Sequence, residues 1–403
     1  MPLRVAWVSP PDVHSVAQRL EGIDASAFHA ATWIRNATRA LARHTDIELH
    51  IVSHEKRFPK DYRFEEGGVH YHYLHAPLPQ VPRPVALYQL DRWKYYRELD
   101  AIKPDLVHGQ GTENLFSYIA VTSGYPAVIS VQAIISHLFR QYRRVSRRYF
   151  EHAIVQFIER YTIRRARHLI IKAPFVESFV RSLNPDARLY LLENIIHEAF
   201  FAVRRELGRQ RNRVVFVGTL INTKGVEELV GAFQRVASEF PSLELHLVGT
   251  GTHAYVDGVL KPLIASGPAA GRVTLHGQLS SERIAALFGQ ASMLVLPSYS
   301  DTSPNVIAEA LVAGVPVIGT DVGGIPYMIE HDRTGLLVPV RDVDSLAAAM
   351  RRYLQNEALA EEHARRGSDR ARARYGEERF VRSLMEIYAE VLNSASRGGA
   401  RRS

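Results

Sequence analysis

Between Met293 and Gly319 the chain alternates so sharply that few architectures can hold it. Met293 to Leu296 is an unbroken apolar run of strand length, the pattern of a strand covered on both faces. Pro297 stops it, and a small polar loop follows from Ser298 to Ser303. Pro304 or Asn305 suits the start of a helix, where a missing N–H costs nothing. Val306 to Val312 reads as a short helix closed by Gly314. Val315 to Gly319 is then a second buried strand. Strand, loop, helix and strand form one βαβ unit, so the expected class is α/β. Ligands of such units bind at the C-terminal ends of the strands.

Two carboxylates bracket this loop, Asp301 and Glu309. The first belongs to the loop and the second to the opening turns of the helix. Ser303, Pro304, Asn305 and Val306 lie between them as a candidate binding loop. Free N–H groups at a helix N-terminus favour an anion, and carboxylates accept bonds from vicinal hydroxyls. That combination suits a nucleotide-sugar. The same residues also admit a structural account, with Asp301 capping the helix and Glu309 answering its dipole. Spacing alone does not choose between the two.

A second unit of this kind precedes the first. Arg213 to Val217 reads as a strand, followed by Gly218, Thr219, Lys224 and Gly225, and by a helix from Val226 to Phe240. Gly218 would let a phosphate approach the backbone, and Lys224 would supply a point charge near the helix start. Leu243 to Val248 is another strand, ending in Gly249-Thr250-Gly251.

Taken together, these pieces resemble the donor-site motifs of retaining glycosyltransferases of the GT-B fold, family 4. In that family a glutamate, seven residues and a second glutamate enclose a Pro-Asn-Val core, and a Gly-x-Pro-Val-Ile strand follows. Here Asp301 stands at the first glutamate, Glu309 at the second, and Gly314 to Ile318 form the strand. Thr219 stands where relatives place an arginine that clamps the diphosphate with the lysine, and Tyr327 where they place a glutamate. The resemblance is continuous from Val214 to Leu354 and patchy before it.

The resemblance implies two Rossmann-like domains facing an interdomain cleft, with a C-terminal helix crossing back to the N-terminal domain. The boundaries expected are 1–195 for the acceptor-side domain and 210–375 for the nucleotide-sugar domain. A crossover helix over 376–392 and a basic, disordered tail over 393–403 complete the chain. The implied activity is transfer of a sugar from a nucleotide-sugar, such as a UDP- or GDP-sugar, to a glycan or lipid-linked acceptor, in cell-envelope polysaccharide or glycolipid synthesis. No cofactor beyond this substrate is implied. Lys224 and the backbone at Gly218, Asn305 and Val306 would hold the diphosphate. Glu309 would bind the ribose, and Asp301 the donor sugar. The alternative is a non-catalytic module of the same fold that binds nucleotide or glycan without turnover, to which Thr219, Asp301 and Gln132 lend support.

In the N-terminal half the informative segment runs from Pro104 to Glu113 and resembles the family's Pro-Asp-Val-Val-His segment. His108, at a strand end, is a candidate site residue; a histidine bonded to local backbone explains it equally well. Pro126 to Val131 is a further strand, followed by Gln132, where several relatives have a histidine that touches the donor sugar. Gln132 can bind hydroxyls but cannot carry a proton at neutral pH. Along Val69 to Leu74, His70 and His72 alternate with Tyr71 and Tyr73. With no carboxylate pattern nearby, a solvated strand face is favoured over a metal site, and a cation-independent enzyme is expected.

Composition sets outer bounds. The 403 residues suffice for two ordinary domains, and without cysteine neither disulfides nor thiolate metal sites can form. No apolar run is long enough for a signal peptide or a bilayer span, so the expected location is cytoplasmic. The net charge of +8 favours anionic partners. The Arg-rich helical stretch 139–168 is a candidate for peripheral contact with an anionic membrane on the inner face, although a solvated basic face explains it slightly better. No nucleic-acid recognition motif is present.

Overall fold

The computed structural model describes residues 2–14, 16–23, 32–76, 89–112, 114–135, 147–205 and 212–399. Of the Arg-rich stretch, Arg140, Arg143 and Arg144 lie outside these. The chain separates into two compact units: Met1–Ile195 together with Glu377–Ser403, and Ile196–Gly376.

The first unit is built on an eight-stranded sheet of order β3-β4-β2-β1-β5-β6-β7-β8. Its strands are β1 Arg4–Val8, β2 Glu48–Glu55, β3 Tyr62–Glu66, β4 Val69–His75, β5 Leu106–Gln110, β6 Ala127–Val131, β7 His168–Ile171 and β8 Arg188–Leu191. All neighbours pair in parallel except β3 with β4. Helices α1 Thr32–His44, α2 Gln89–Ile102, α3 Phe116–Thr122, α4 Arg147–Arg165 and α5 Phe175–Leu183 supply the crossovers. Both faces of the sheet are covered, as a parallel sheet requires. Val5 and Trp7 point into one core with Ile34 and Leu41 of α1. Ala6 and Val8 point into the other with Leu99, Ile119 and Ile163.

The antiparallel edge strand β3 is not anticipated by the sequence reading. Gly67 and Gly68 sit between β3 and β4 with φ of 58° and 76°. Two consecutive left-handed residues make the tight turn whose twist matches a hairpin, and glycine adopts it without strain.

The second unit holds a six-stranded parallel sheet of order β11-β10-β9-β12-β13-β14. The strands are β9 Arg213–Val217, β10 Glu244–Val248, β11 Val273–Gly277, β12 Ala291–Leu296, β13 Val317–Thr320 and β14 Leu336–Val338. Its main helices are α6 Val226–Ala237, α7 Ser281–Gly289, α8 Asn305–Val312, α9 Val343–Gln355 and α10 Glu357–Arg374. In α6, Val226, Leu229, Val230, Phe233 and Ala237 are buried at helical spacing, one apolar stripe against the sheet. Helix α8 is buried almost all round. A Cβ at Gly367 of α10 would lie 2.7 Å from Leu311, so the missing side chain lets α10 pack against α8. Strand order reverses at β9, which lies between β10 and β12. The loops after β9 and β12 therefore emerge side by side.

The last helix, α11 Glu377–Gly399, packs in the first unit through Phe380, Val381, Leu384, Tyr388 and Val391. This corrects the expected tail over 393–399, because the helix continues to Gly399, and residues 400–403 lie outside the described residues. Ser394 is buried and shares a 2.8 Å hydrogen bond with Nε2 of His168 on β7, while Ser396 donates back to the Leu392 carbonyl. Small residues there fit against the sheet instead of breaking the helix. No helix among the described residues is long and apolar enough to cross a membrane.

Candidate functional site

The two loops of the second unit meet through one ion pair. Lys224, at the end of the β9–α6 loop, donates to Oδ2 of Asp301 on the β12–α8 loop at 2.5 Å. Both side chains are partly buried, and Oγ of Ser298 lies 3.5 Å from the same oxygen. The backbone fixes this geometry. Gly225 has φ +68°, and a Cβ there would strike the Pro297 carbonyl at 2.1 Å. Gly323 has φ +57°, with the Asp301 carbonyl 2.0 Å from any Cβ it might carry. The Gly324 N–H donates to that carbonyl at 3.0 Å, and the Thr320 hydroxyl donates to the Ser298 carbonyl at 2.6 Å. The Asp301 loop is thus held from both sides by close backbone contacts that only glycine permits.

Helix α8 starts at Asn305 after Pro304, whose extended backbone offers no side-chain cap. Its first N–H groups have no intrahelical acceptor, and the Ile307 N–H folds back to the Pro304 carbonyl at 3.1 Å. Ser303 is partly buried, its hydroxyl 3.9 Å from the Met328 sulfur. Val306 points inward as part of the core. The Glu309 carboxyl, one turn on, has no hydrogen-bond or ion-pair partner among the described residues. Burial alone raises its carboxyl to about 7, since a low-dielectric surrounding disfavours the charged form.

Gly218 serves differently from expectation. Its N–H is already committed to the Val248 carbonyl at 2.9 Å, so it cannot also hold a phosphate. Its part is steric, because the turn at Gly249 packs directly against the Gly218 carbonyl. The N–H of the exposed Thr219, next along this turn, has no acceptor among the described residues. Tyr327 stacks under the Arg374 guanidinium, 3.8 Å from its ring centre.

In the first unit, His108 is buried with both ring nitrogens occupied. Trp7 donates to Tyr388 at 2.7 Å, and Tyr388 donates to Nδ1 of His108 at 2.8 Å. Nε2 then carries the proton and donates to Ser130 at 2.9 Å. Burial, with Lys172 adding repulsion, holds the imidazole neutral, well below its usual range. His108 is thus held in a buried hydrogen-bonded network between β5, β6 and the C-terminal helix. Gln132 accepts from Asn194 at 3.3 Å and reaches Gln110 at 3.5 Å.

The sequence reading missed Lys172, just past β7. It is fully enclosed, donates to the Leu192 carbonyl at 3.1 Å, and is lowered to about 8 by burial. With His108, Gln110, Ser130 and Asn194 it lines one side of a small cavity whose remaining wall is apolar, Trp7, Trp33 and Phe380 among it. The one available signal was a charged residue at the end of an apolar strand.

Two family descriptions match consecutive stretches of the chain. Residues 30–200 match Glycosyltransferase Family 4, and residues 211–356 match Glycosyl transferases group 1. The chain belongs to glycosyltransferase family 4. Among curated members, it is 25% identical to the alpha-D-kanosaminyltransferase of Streptomyces kanamyceticus over 317 residues, 75% of this chain and 80% of that one. Two other curated relatives are spanned over only 24% and 57% of their length. Among solved structures, the sucrose-phosphate synthase of Thermosynechococcus elongatus superposes with a TM-score of 0.79 at 20% identity, covering 97% of this chain and 100% of the other. Anabaena HepE, solved in complex with UDP-glucose, superposes with a TM-score of 0.71 at 13% identity, over 96% and 100%. The fold of this family 4 member is GT-B.

Proposed function

We propose that this family 4 chain transfers a sugar from a nucleotide-sugar to a glycan or lipid-linked acceptor in polysaccharide or glycolipid synthesis, with retention at the anomeric carbon. The observation that carries the reading is the Lys224–Asp301 pair at the switch point of a parallel sheet, with Glu309, whose carboxyl has no partner among the described residues, on the helix that follows the Asp301 loop. Lys224, the open Thr219 N–H and the first N–H groups of α8 supply positive charge for a diphosphate. Glu309 accepts from ribose hydroxyls. Asp301 orients the donor sugar, and Gln132 contributes a hydroxyl-binding amide. In the step, the acceptor oxygen bonds to C1 as the C1–phosphate bond breaks. The leaving phosphate takes the acceptor proton, so no protein base is required. A surface helix supports membrane proximity: α4 exposes Phe157 beside Tyr161, and Arg165 lies over the Tyr161 ring.

The deciding experiment is a panel of UDP-, GDP-, ADP- and dTDP-sugars, measured for binding and for slow hydrolysis. One tightly bound, slowly hydrolysed member supports the reading and names the donor. Nucleotide binding with no turnover, even with acceptor extracts, favours the non-catalytic module. Absence of binding to every member removes the donor site.

Glu309 provides an independent check. If ribose hydroxyls donate to its carboxylate, binding lowers the raised value of about 7. Donor binding near pH 6.5 should then release a fraction of a proton, and near pH 8.5 almost none. Calorimetry in buffers of different ionisation enthalpy reads this directly. Glu309→Gln should abolish the release and weaken binding roughly 10-fold or more, the cost of one charge-assisted bond. The free protein should follow the opposite logic. Its carboxyl is raised on folding, so the associated stability is present below about 4.5 and lost as pH rises through about 7. Glu309→Gln should therefore melt higher than wild type at pH 8.

A further inference from the structure

Both units carry one and the same polar pattern on their sheets. In the first, Arg4 begins β1 opposite Glu48 of β2, and His50 follows two residues later. In the second, Arg213 begins β9 opposite Glu244 of β10, and His246 follows two residues later. Each middle histidine bonds its own glutamate through Nε2, at 3.0 Å for His50 and 3.2 Å for His246. Each also bonds a histidine of the next strand from Nδ1 to Nε2, His72 at 3.0 Å and His276 at 2.8 Å. The first unit adds two groups. Nδ1 of His72 meets Oε1 of Glu98 on α2 at 2.7 Å. His70 also pairs directly across from His50 and stacks on it at 4.7 Å, where the second unit has Thr274 opposite His246.

The hydrogen bonds of the two chains count differently. Glu244, His246 and His276 leave two gaps, and two neutral imidazoles bring two protons, so that chain closes. Glu48, His50, His72 and Glu98 leave three gaps for the same two protons. If the imidazole protons fill the His50–His72 and His72–Glu98 gaps, Nε2 of His50 faces Oε1 of Glu48 with lone pairs on both sides. That gap is the one His70 borders: ligand atoms of Glu48, His50 and His70 lie within 4.8 Å of one another. We propose that Glu48, His50 and His70 form a binding site for a divalent cation of the zinc type.

Two histidines and a carboxylate are an ordinary zinc donor set, with water as the fourth ligand, and tetrahedral donors at ~2.1 Å stand about 3.4 Å apart. The 3.0 Å gap between His50 and Glu48 needs only a small opening. The outer shell is in place: His50 passes its other N–H to His72, which passes its own to Glu98, itself held by Arg63 at 2.7 and 2.8 Å. Such histidine–carboxylate support fixes the tautomer of a ligand. Arg4 forks onto Glu48 at 2.8 and 3.1 Å and keeps it ionised, although its charge tempers affinity for a cation. The ion would join β2 to β4 within the first unit.

The test uses tag-free full-length protein stripped with EDTA and titrated with Zn²⁺ by calorimetry and with Co²⁺ by visible absorption. His70→Thr installs the second unit's residue at a half-exposed position, so folding should be preserved, as a melt verifies. Wild type should bind one equivalent more than His70→Thr, develop the absorption of four-coordinate Co²⁺, and melt higher with Zn²⁺ present. His276→Gln, in the other unit, should behave as wild type. The exposed pair His253–Asp257 competes equally in all three proteins, so the difference in stoichiometry is what counts. Equal stoichiometry in wild type and His70→Thr overturns the site, as does loss of the equivalent in His276→Gln. Histidine NMR that finds one imidazolium persisting in Zn²⁺-treated protein would also overturn it, since the third gap would then hold a proton.

Discussion

Lys224→Ala should lower donor turnover by about two to three orders of magnitude, the usual loss when one preorganised charge at a leaving group is removed. The size of the effect follows from the loop's composition. Thr219 occupies the position where a second cation would share the work, so the loop itself offers Lys224 alone. That lysine is also positioned in advance, because Asp301 holds its ammonium at 2.5 Å and Gly225 locks the backbone beneath it. The partner variant should divide differently. Asp301→Asn removes the neutralising charge and leaves Lys224 free for a diphosphate, so nucleotide affinity should hold or rise while sugar turnover falls. Asp301→Ala should act similarly, with greater loss. The double variant should fall well short of the sum of the single losses, since each side chain positions the other. A KM-against-kcat comparison of these four variants with wild type is the measurement. Loss of nucleotide affinity in Asp301→Asn equal to that in Lys224→Ala would mean that the pair serves folding alone.

Much of this site was legible residue by residue, and very little of it pair by pair. Lys224 and Asp301 each stood out from a loop between a buried strand and a helix. Their contact, across 77 residues, depends on strand order. Parallel sheets permit several orders, and periodicity carries no information about which is used. His108 illustrates the same limit from the other side. Its position at a strand end was readable, yet its role is decided by Tyr388, 280 residues later, from a helix of the C-terminal segment. The histidines of β4 read as a solvated face because Glu65 and Glu66, just before them in sequence, form no metal-ligand pattern with them. Glu48 and Glu98 arrive from other elements. Where local chemistry was decisive, misses were avoidable. The Gly67-Gly68 pair is a hairpin signal for β3, and the segment after Leu392 has neither proline nor glycine to stop a helix before Gly398. Gly218 was read as a phosphate contact because glycine often marks one. The glycine that matters more for shape is its neighbour across the sheet.

Gly249→Ala should therefore be among the most damaging single changes in the second unit. Gly249 follows β10 directly, with φ +135°, a conformation that L side chains rarely adopt, and a Cβ there would lie 1.9 Å from the Gly218 carbonyl oxygen. Neither atom can yield alone. The Gly249 N–H donates to Gly277 at the end of β11 at 2.8 Å, and the Gly218 N–H donates to Val248 at 2.9 Å. Relief would have to shift the ends of three adjacent strands together. Backbone strain of this kind with an added clash costs on the order of 3 kcal/mol or more. For a domain of this size that lowers Tm by roughly 6–12 °C. Gly271→Ala makes a fair control, since no atom lies within 4 Å of its Cβ position and its φ is not positive; it should melt within a degree or two of wild type. The site should feel Gly249→Ala even below the melt. The Leu220 N–H bonds Thr250 at 2.9 Å, so a displaced Gly249 drags the turn that carries Thr219 and leads to Lys224. Donor affinity should fall at temperatures where circular dichroism still reports a folded protein. A variant that melts with wild type and binds donor normally would mean that the three strand ends are far more compliant than their hydrogen bonds imply.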